Sequence, residues 1–191
     1  MNQIKIVEVG PRDGLQNEKT FVTTADKITL IEKLAACGLP VVEATSFVSP
    51  KWVPQMQDAS AVMAGLSRRA GVQYPVLVPN VQGLSRISAD FAPDIAVFSA
   101  ASNAFNLKNI NCTTAESLIR IQPLVQQALA EGRRVRGYVS TVLGCPYQGA
   151  VPVAEVVAVA KALYDLGCTE ISLGDTVGVG TPKQAQRMLQ A

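Results

Sequence analysis

The sequence predicts an α/β chain carrying about six strand–helix units of a (β/α)8 TIM barrel, and three observations predict it. Short runs rich in Val and Ile alternate with longer segments of helical periodicity, the pattern of βα units feeding a parallel sheet. Glycines recur just past the helices and shortly ahead of the next strand. The fifth strand carries Arg136, Tyr138 and Ser140 on one face and Val135, Gly137 and Val139 on the other. A polar face on a central strand suits a barrel lumen, whereas a doubly wound sheet wants both faces apolar.

In chain order the strands are expected at Ile4–Val9, Val41–Ala44, Gln73–Val78, Asp94–Ser99, Val135–Thr141 and Glu170–Leu173. Helices are expected near 24–36, 55–65, 81–88, 114–131 and 153–166, with a last one starting near 182. In the first helix Ile28, Ile31, Leu34 and Ala35 share a face, and Gly38 follows as a C-cap. Thr113 and Glu116 have capping-box spacing ahead of Leu118, Ile119 and Ile121. Gly132 and Gly167 end the next two helices, and Pro182 suits the first turn of the last. A complete barrel takes about 250 residues. Residues 1–191 are therefore expected to be a single incomplete TIM-barrel domain without units seven and eight.

Composition narrows the function. Of 191 residues 48% are hydrophobic and 17% charged, a globular balance, and the net charge is only +2. Arg68-Arg69 and Arg133-Arg134 are the densest basic pairs. Lacking interleaved aromatics, they read as solvated helix faces or ends, and no nucleic-acid partner is expected. The most apolar stretch, Val151 to Leu166, is broken by Glu155, Lys161 and Asp165, so no membrane span is expected. Cys37, Cys112, Cys145 and Cys168 form no Cys-x-x-Cys pair and read as reduced thiols. The opening Met1-to-Val9 segment shows no signal-peptide or transit-peptide pattern, which makes the cytoplasm the expected location.

A TIM barrel builds its active site at the C-terminal ends of its strands. Three such ends gather charged and small residues: Gly10 to Glu18, Glu43 to Pro50, and Gly174 to Pro182. Arg12 and Asp13 have two readings, a turn pair within Pro-Arg-Asp-Gly or a site pair. Glu8 reads as a structural ion pair with Arg12 or Arg136. Glu43 ends an apolar strand, where a buried carboxylate needs a partner or a metal. Asp175 is either a turn cap or an acid–base group. Glycines 174, 178 and 180 match neither G-x-G-x-x-G nor a P-loop, which excludes a nucleotide cradle. As a set, an aspartate offers Mg2+ or Mn2+ a hard oxygen, an arginine stabilises an oxyanion, and a second carboxylate moves a proton. One aspartate alone does not hold a metal.

The strings Glu8-Val-Gly-Pro-Arg-Asp-Gly-Leu-Gln-Asn-Glu18 and Glu43-Ala-Thr-Ser-Phe-Val-Ser-Pro-Lys-Trp-Val-Pro-Gln-Met56 resemble the 3-hydroxy-3-methylglutaryl-CoA lyase family. Lys108 to Cys112, Arg136 to Ser140, Gly144 to Tyr147 and Glu170 to Pro182 continue in that family's order. The Arg-Asp-Gly-x-Gln element is shared more widely, with isopropylmalate and homocitrate synthases of the metallolyase superfamily. The resemblance implies a divalent-metal-dependent carbon–carbon lyase using Mg2+ or Mn2+. Its reaction would be a retro-Claisen cleavage of 3-hydroxy-3-methylglutaryl-CoA to acetyl-CoA and acetoacetate, as in leucine degradation. It implies that Asp13 is a metal ligand, that Arg12 stabilises the departing enolate, and that Glu43 and Asp175 join Arg12 in catalysis, Asp175 in proton transfer. Gln16, Ser46, Asn109, Arg136, Tyr138, Ser172 and Thr176, with Arg12, would contact the acyl-CoA substrate. The full-length family member is expected to be a homo-oligomer, a dimer. The competing readings are a condensing enzyme of the isopropylmalate or homocitrate synthase type and a truncated, non-catalytic binding module.

The same resemblance implies two metal ligands from a His-x-His after the seventh strand, with an asparagine and a mobile catalytic cysteine from beyond it. The sequence has no histidine and ends at Ala191. Cys145, in Gly144-Cys-Pro-Tyr147, resembles the family's later cysteine loop but belongs to an upstream copy; it reads as a structural thiol, as do the other three. The 191 residues alone are expected to show no turnover, to bind metal poorly, and to associate or be unstable through exposed strand edges.

Overall fold

A computed structural model describes residues 4–88 and 91–191; the opening Met1 to Gln3 lies outside the described residues. The backbone divides into two compact units. The first holds the described residues up to Ile95 together with Glu131–Arg133, and the second holds Ala96–Ala130 and Arg134–Ala191.

The first unit runs through β1 (Val7–Glu8), a π turn at Gly10–Gly14, a 3-10 turn at Leu15–Asn17, α1 (Thr24–Ala36), β2 (Val41–Val42) and β3 (Thr45–Ser46). A 3-10 turn at Pro54–Met56 follows, then α2 (Ala59–Gly65), β4 (Val76–Leu77), α3 (Val81–Leu84) and the start of β5 (Asp94–Ala100). β1 pairs in parallel with β2, Val7 opposite Val41, and β3 pairs in parallel with β4, Thr45 opposite Val76. β2 and β3 occupy the place of the single strand expected at Val41–Ala44. The interruption falls at Glu43, whose amide donates to Glu8 O at 2.8 Å while that of Ala44 donates to Pro75 O at 2.9 Å. Successive amides thus serve opposite neighbours, as a central parallel strand requires.

α1 begins where expected, with the Thr23 hydroxyl accepting from Asp26 N at 3.2 Å. It ends at Gly38, which takes the positive φ of 87° that closes helices cheaply. Ile31 and Ala35 are buried as the periodicity predicts, but the stripe continues through a buried lysine, Lys27. The core around them is Val42, Val62, Met63, Val76 and Val78. Arg133 also departs from expectation. It is not a solvated helix end: it is buried, and its guanidinium donates to Ala92 O at 2.7 Å and Ile87 O at 2.8 Å. Those carbonyls lie between α3 and β5, outside helix and strand, where a forked donor supplies the partners that a ladder does not.

The second unit contains the remainder of β5, α4 (Asn103–Ile110), α5 (Thr114–Ala130), β6 (Arg134–Ser140), α6 (Val153–Asp165), β7 (Glu170–Leu173) and α7 (Pro182–Leu189). β6 and β7 pair in parallel, Tyr138 opposite Ser172. Val135, Gly137 and Val139 face the core and Arg136, Tyr138 and Ser140 are half-buried, as the alternation predicts. A side chain at Gly137 would meet Leu163 at 3.1 Å and Cys168 at 3.3 Å, so glycine there lets α6 lie close on the strand. α5 carries the predicted capping box, with Thr113 N donating to Glu116 Oε2 at 2.7 Å and Glu116 N to Thr113 Oγ1 at 3.1 Å. α4 was not expected. Its polar sequence shows no apolar stripe, and it forms because Ser102 caps it and Asn111 closes it at φ 50°. No helix among the described residues is long and apolar enough to cross a membrane.

Candidate active site

Four of the expected residues form one hydrogen-bonded chain in the first unit. Val9 O, at the end of β1, receives the amides of Arg12 at 3.1 Å and Asp13 at 2.6 Å, which winds Gly10–Gly14 into a tight turn. The Glu8 carboxylate accepts from Gly10 N at 2.6 Å, so it braces this turn instead of forming the expected ion pair with Arg12. A side chain at position 10 would lie 2.8 Å from that carboxylate oxygen, which explains glycine there.

The turn projects Arg12 inward and Asp13 outward. Arg12 is 8% exposed and Glu43 not at all. Arg12 Nε donates to Glu43 Oε1, and its Nη1 donates to Asp13 Oδ1 at 2.7 Å. Gln16 Nε2 reaches the same Asp13 oxygen at 3.2 Å. The Arg12–Asp13 pair forms the turn that one of its two sequence readings expected, and that turn presents a charged cluster. The Glu43 carboxylate has the partner its burial demands. Ser46 is buried on β3 and accepts from Val48 N at 3.3 Å, outside this cluster.

The other candidates belong to the second unit. Arg136 pairs with Glu170 at 2.8 Å and lies 5.2 Å from the centre of the Tyr138 ring, while its Nε is buried without a hydrogen-bond partner. Ser172 sits across from Tyr138 on β7. Asp175 caps the turn after β7, accepting from Gly180 N at 2.8 Å and Val179 N at 3.3 Å. Thr176 Oγ1 accepts from Thr141 N at 2.8 Å. Thr141 itself is a buried, β-branched residue at φ 61°, a strained conformation that no sequence signal announced. Asn109 is exposed on α4 and joins none of these groups.

All four cysteines are free thiols. Burial would raise the Cys145 thiol, but hydrogen bonds from Ser102 Oγ at 3.0 Å and from the amides of Tyr147 and Gln148, both at 3.4 Å, hold it below the ordinary thiol range. Cys168 has no such donors, and burial pushes it up to about 11. Burial raises Cys112 as well.

Among the described residues no three His, Cys, Asp or Glu side chains come together as a metal-binding group. Asp13, with its side chain 55% exposed, offers a single carboxylate, one oxygen of which is already shared by Arg12 and Gln16. The residues present do not by themselves fit a divalent ion.

Parallel βα units with a charged cluster set on the loop after a strand place the chain in the α/β, (β/α)8-barrel fold class, seen here as part of a barrel. The chain belongs to the HMGL-like family, which it matches over residues 3–191. It is 58% identical over 189 residues to the mitochondrial hydroxymethylglutaryl-CoA lyase of Bos taurus, covering 99% of this chain and 58% of that one. It is 57% identical over 186 residues to the cytoplasmic 3-hydroxy-3-methylglutaryl-CoA lyase of Danio rerio, covering 97% of this chain and 56% of the relative. The crystal structure of hydroxymethylglutaryl-CoA lyase from Pseudomonas aeruginosa superposes with a TM-score of 0.95 at 50% identity, over 99% of this chain and 63% of that one. The chain thus spans less than two thirds of the length of these relatives.

Proposed function

We propose that these residues form part of the single catalytic domain of a carbon–carbon lyase that cleaves 3-hydroxy-3-methylglutaryl-CoA to acetyl-CoA and acetoacetate. The observation that carries the reading is the buried Arg12, clasped by a fully buried Glu43 and tied to an exposed Asp13, in a chain 58% identical to a lyase of that name. No observation favours a condensing enzyme or a non-catalytic module.

The chemistry assigns work to each group. The C3 hydroxyl gives up its proton, the C2–C3 bond breaks, and C3 becomes the ketone of acetoacetate. The bonding pair passes into the thioester as an enolate, which takes a proton at C2 to become acetyl-CoA. The Arg12 guanidinium offsets the charge growing on the enolate oxygen, and it is worth most in a dry site where it is already oriented. Glu43 supplies that orientation. Asp175 carries the proton, its carboxylate aimed by the amides of Val179 and Gly180. Gln16, Ser46, Asn109, Arg136, Tyr138, Ser172 and Thr176 contact the acyl-CoA. Asp13 is proposed as one ligand of Mg2+ or Mn2+, an ion that when bound would acidify the C3 hydroxyl. Since the described residues give it one carboxylate, the 191 residues alone are expected to show no turnover. A homodimer acting in leucine degradation, in the cytoplasm, completes the proposal; the matched relatives include both cytoplasmic and mitochondrial enzymes.

The test measures acetoacetate and acetyl-CoA released from 3-hydroxy-3-methylglutaryl-CoA by the whole protein with Mg2+ or Mn2+. Equimolar release, reduced about 10^3-fold or more in Arg12→Met, is the expected result. Absence of cleavage, or an Arg12→Met variant of full activity, would overturn the reading.

A further inference from the structure

We infer that Gln55, backed by the ion pair of the buried Lys27 with the part-buried Asp58, is a positioning residue for the segment that carries Arg12, Asp13 and Gln16. What that segment does rests on the lyase reading; how it is held does not. Gln55 lies in the Pro54–Met56 turn and is 4% exposed. Its Oε1 accepts from Val22 N at 2.9 Å, while its Nε2 donates to Thr20 O at 2.9 Å and Glu18 O at 3.2 Å. Residues 18–23 have no secondary structure, so this one side-chain amide replaces the ladder that would otherwise fix them. The segment is pinned at its other end by Val9 O, which receives the amides of Arg12 and Asp13. Gln16 lies between the two anchors.

Gln55 is itself held from behind. Lys27 Nζ donates to Gln55 O and to Asp58 Oδ1, the latter at 2.7 Å, and sits 4.3 Å from the centre of the Phe21 ring. The second Asp58 oxygen accepts from Thr24 Oγ1 at 2.7 Å. Lys27 is 3% exposed and occupies the next position of the Ile31–Ala35 stripe. An apolar residue there would extend the core without the desolvation cost of an ammonium. The charge is explained by what it orients: the carbonyl of Gln55 and, through that turn, the three contacts to residues 18–22. The Pro-Gln-Met end of the second resemblance string gains a role by this account.

Hydrogen–deuterium exchange on the full chain reads the tether directly. In Gln55→Met the amides of residues 10–22 are expected to exchange roughly tenfold faster or more, while those of α5 and β6 keep their rates. Val62→Ala, a cavity variant in the same unit, controls for general loosening. Equal exchange of 10–22 in the two variants would sink the inference. The second readout is steady-state cleavage by the whole protein. A positioning role predicts a higher KM for substrate and Mn2+ together with a lower kcat. Faster exchange with unchanged kcat and KM would leave Gln55 only structural and would equally overturn the inference. If the whole protein cleaves no acyl-CoA, the lyase reading fails, yet the exchange comparison still decides whether Gln55 holds the segment. Gln55→Glu, which sets oxygens against Glu18 O and Thr20 O, gives the same decision should Gln55→Met not fold.

Discussion

The two units bury polar groups in opposite ways. Among the described residues, every buried charge belongs to the first unit: Arg12, Lys27, Glu43 and Arg133. The second unit buries only neutral polar residues, namely Ser99, Ser102, Asn106, Ser117 and Thr141. Its ion pairs, Arg136–Glu170 and Lys161–Asp165, are more exposed. The difference teaches where each unit is vulnerable. A buried charge that loses its partner costs about 3–5 kcal/mol, whereas a buried neutral group left unsatisfied costs about 1–3 kcal/mol. The first unit therefore concentrates its risk in a few side chains, and two of them, Arg12 and Glu43, belong to the candidate catalytic cluster.

Removing the charge from Arg12 should give the largest effect. Arg12→Met leaves the fully buried Glu43 carboxylate without its guanidinium and is expected to cost about 3–5 kcal/mol in urea unfolding. The double variant Arg12→Met/Glu43→Leu should recover most of that loss, because no charge then remains to be stranded. A single variant no worse than the double would break the comparison.

A neutral counterpart in the second unit comes next. Asn106 Nδ2 donates to Thr114 Oγ1 at 2.9 Å, Ala100 O at 3.1 Å and Ser99 Oγ at 3.4 Å, which joins α4 to the end of β5 and the start of α5. Asn106→Ala is expected to cost about 1–3 kcal/mol by the same measurement, less than Arg12→Met. If it matched the loss from Arg12→Met, charge would not be what separates the units.

How much of this was legible beforehand follows from what periodicity can see. α1, α5, α6 and β7 fell where apolar spacing, caps and closing glycines put them. Arg12, Asp13 and Glu43 could be singled out because a strand end joined to a buried carboxylate is a local pattern. Lys27 was hidden because a lysine on a helix reads as solvated, and its partner Asp58 is 31 residues away. Gln55 was hidden for the same reason: its three contacts are to backbone atoms 33 to 37 residues distant, which leave no trace in side-chain spacing. Arg133 was misread as solvated since carbonyl acceptors at 87 and 92 are equally invisible. α4 escaped because its stop and start are carried by caps, without a stripe between them.

A third effect is a slope with pH. Cys168 is raised by burial to about 11, so the fold favours its neutral thiol. The sign follows: its contribution is full below the ordinary thiol value of about 9 and is lost as pH rises from there through about 11. Denaturant midpoints measured across that window should fall more steeply in the wild type than in Cys168→Ala. Parallel slopes would remove the thiol as the cause.

The smallest expected effect lies on the acid side, at the start of α5. Glu116 is held below its ordinary carboxylate range first by the Thr113 backbone amide and then by the Thr113 hydroxyl, with donor distances of 2.7 and 2.9 Å. A lowered folded pKa contributes stability that is present above the ordinary value of 4.5 and disappears as pH falls through the lowered one. The group is fully exposed, so salt should weaken the attraction of the Arg120 charge while leaving the two short hydrogen bonds. Glu116→Gln keeps a side-chain oxygen for the cap but cannot titrate. Its stability should therefore match the wild type at low pH and fall slightly short of it above pH 5 or so, where only the carboxylate is charged. An unchanged acid limb would assign the cap to geometry alone, and this helix start would then be held by neutral contacts like the polar groups in the core of its unit.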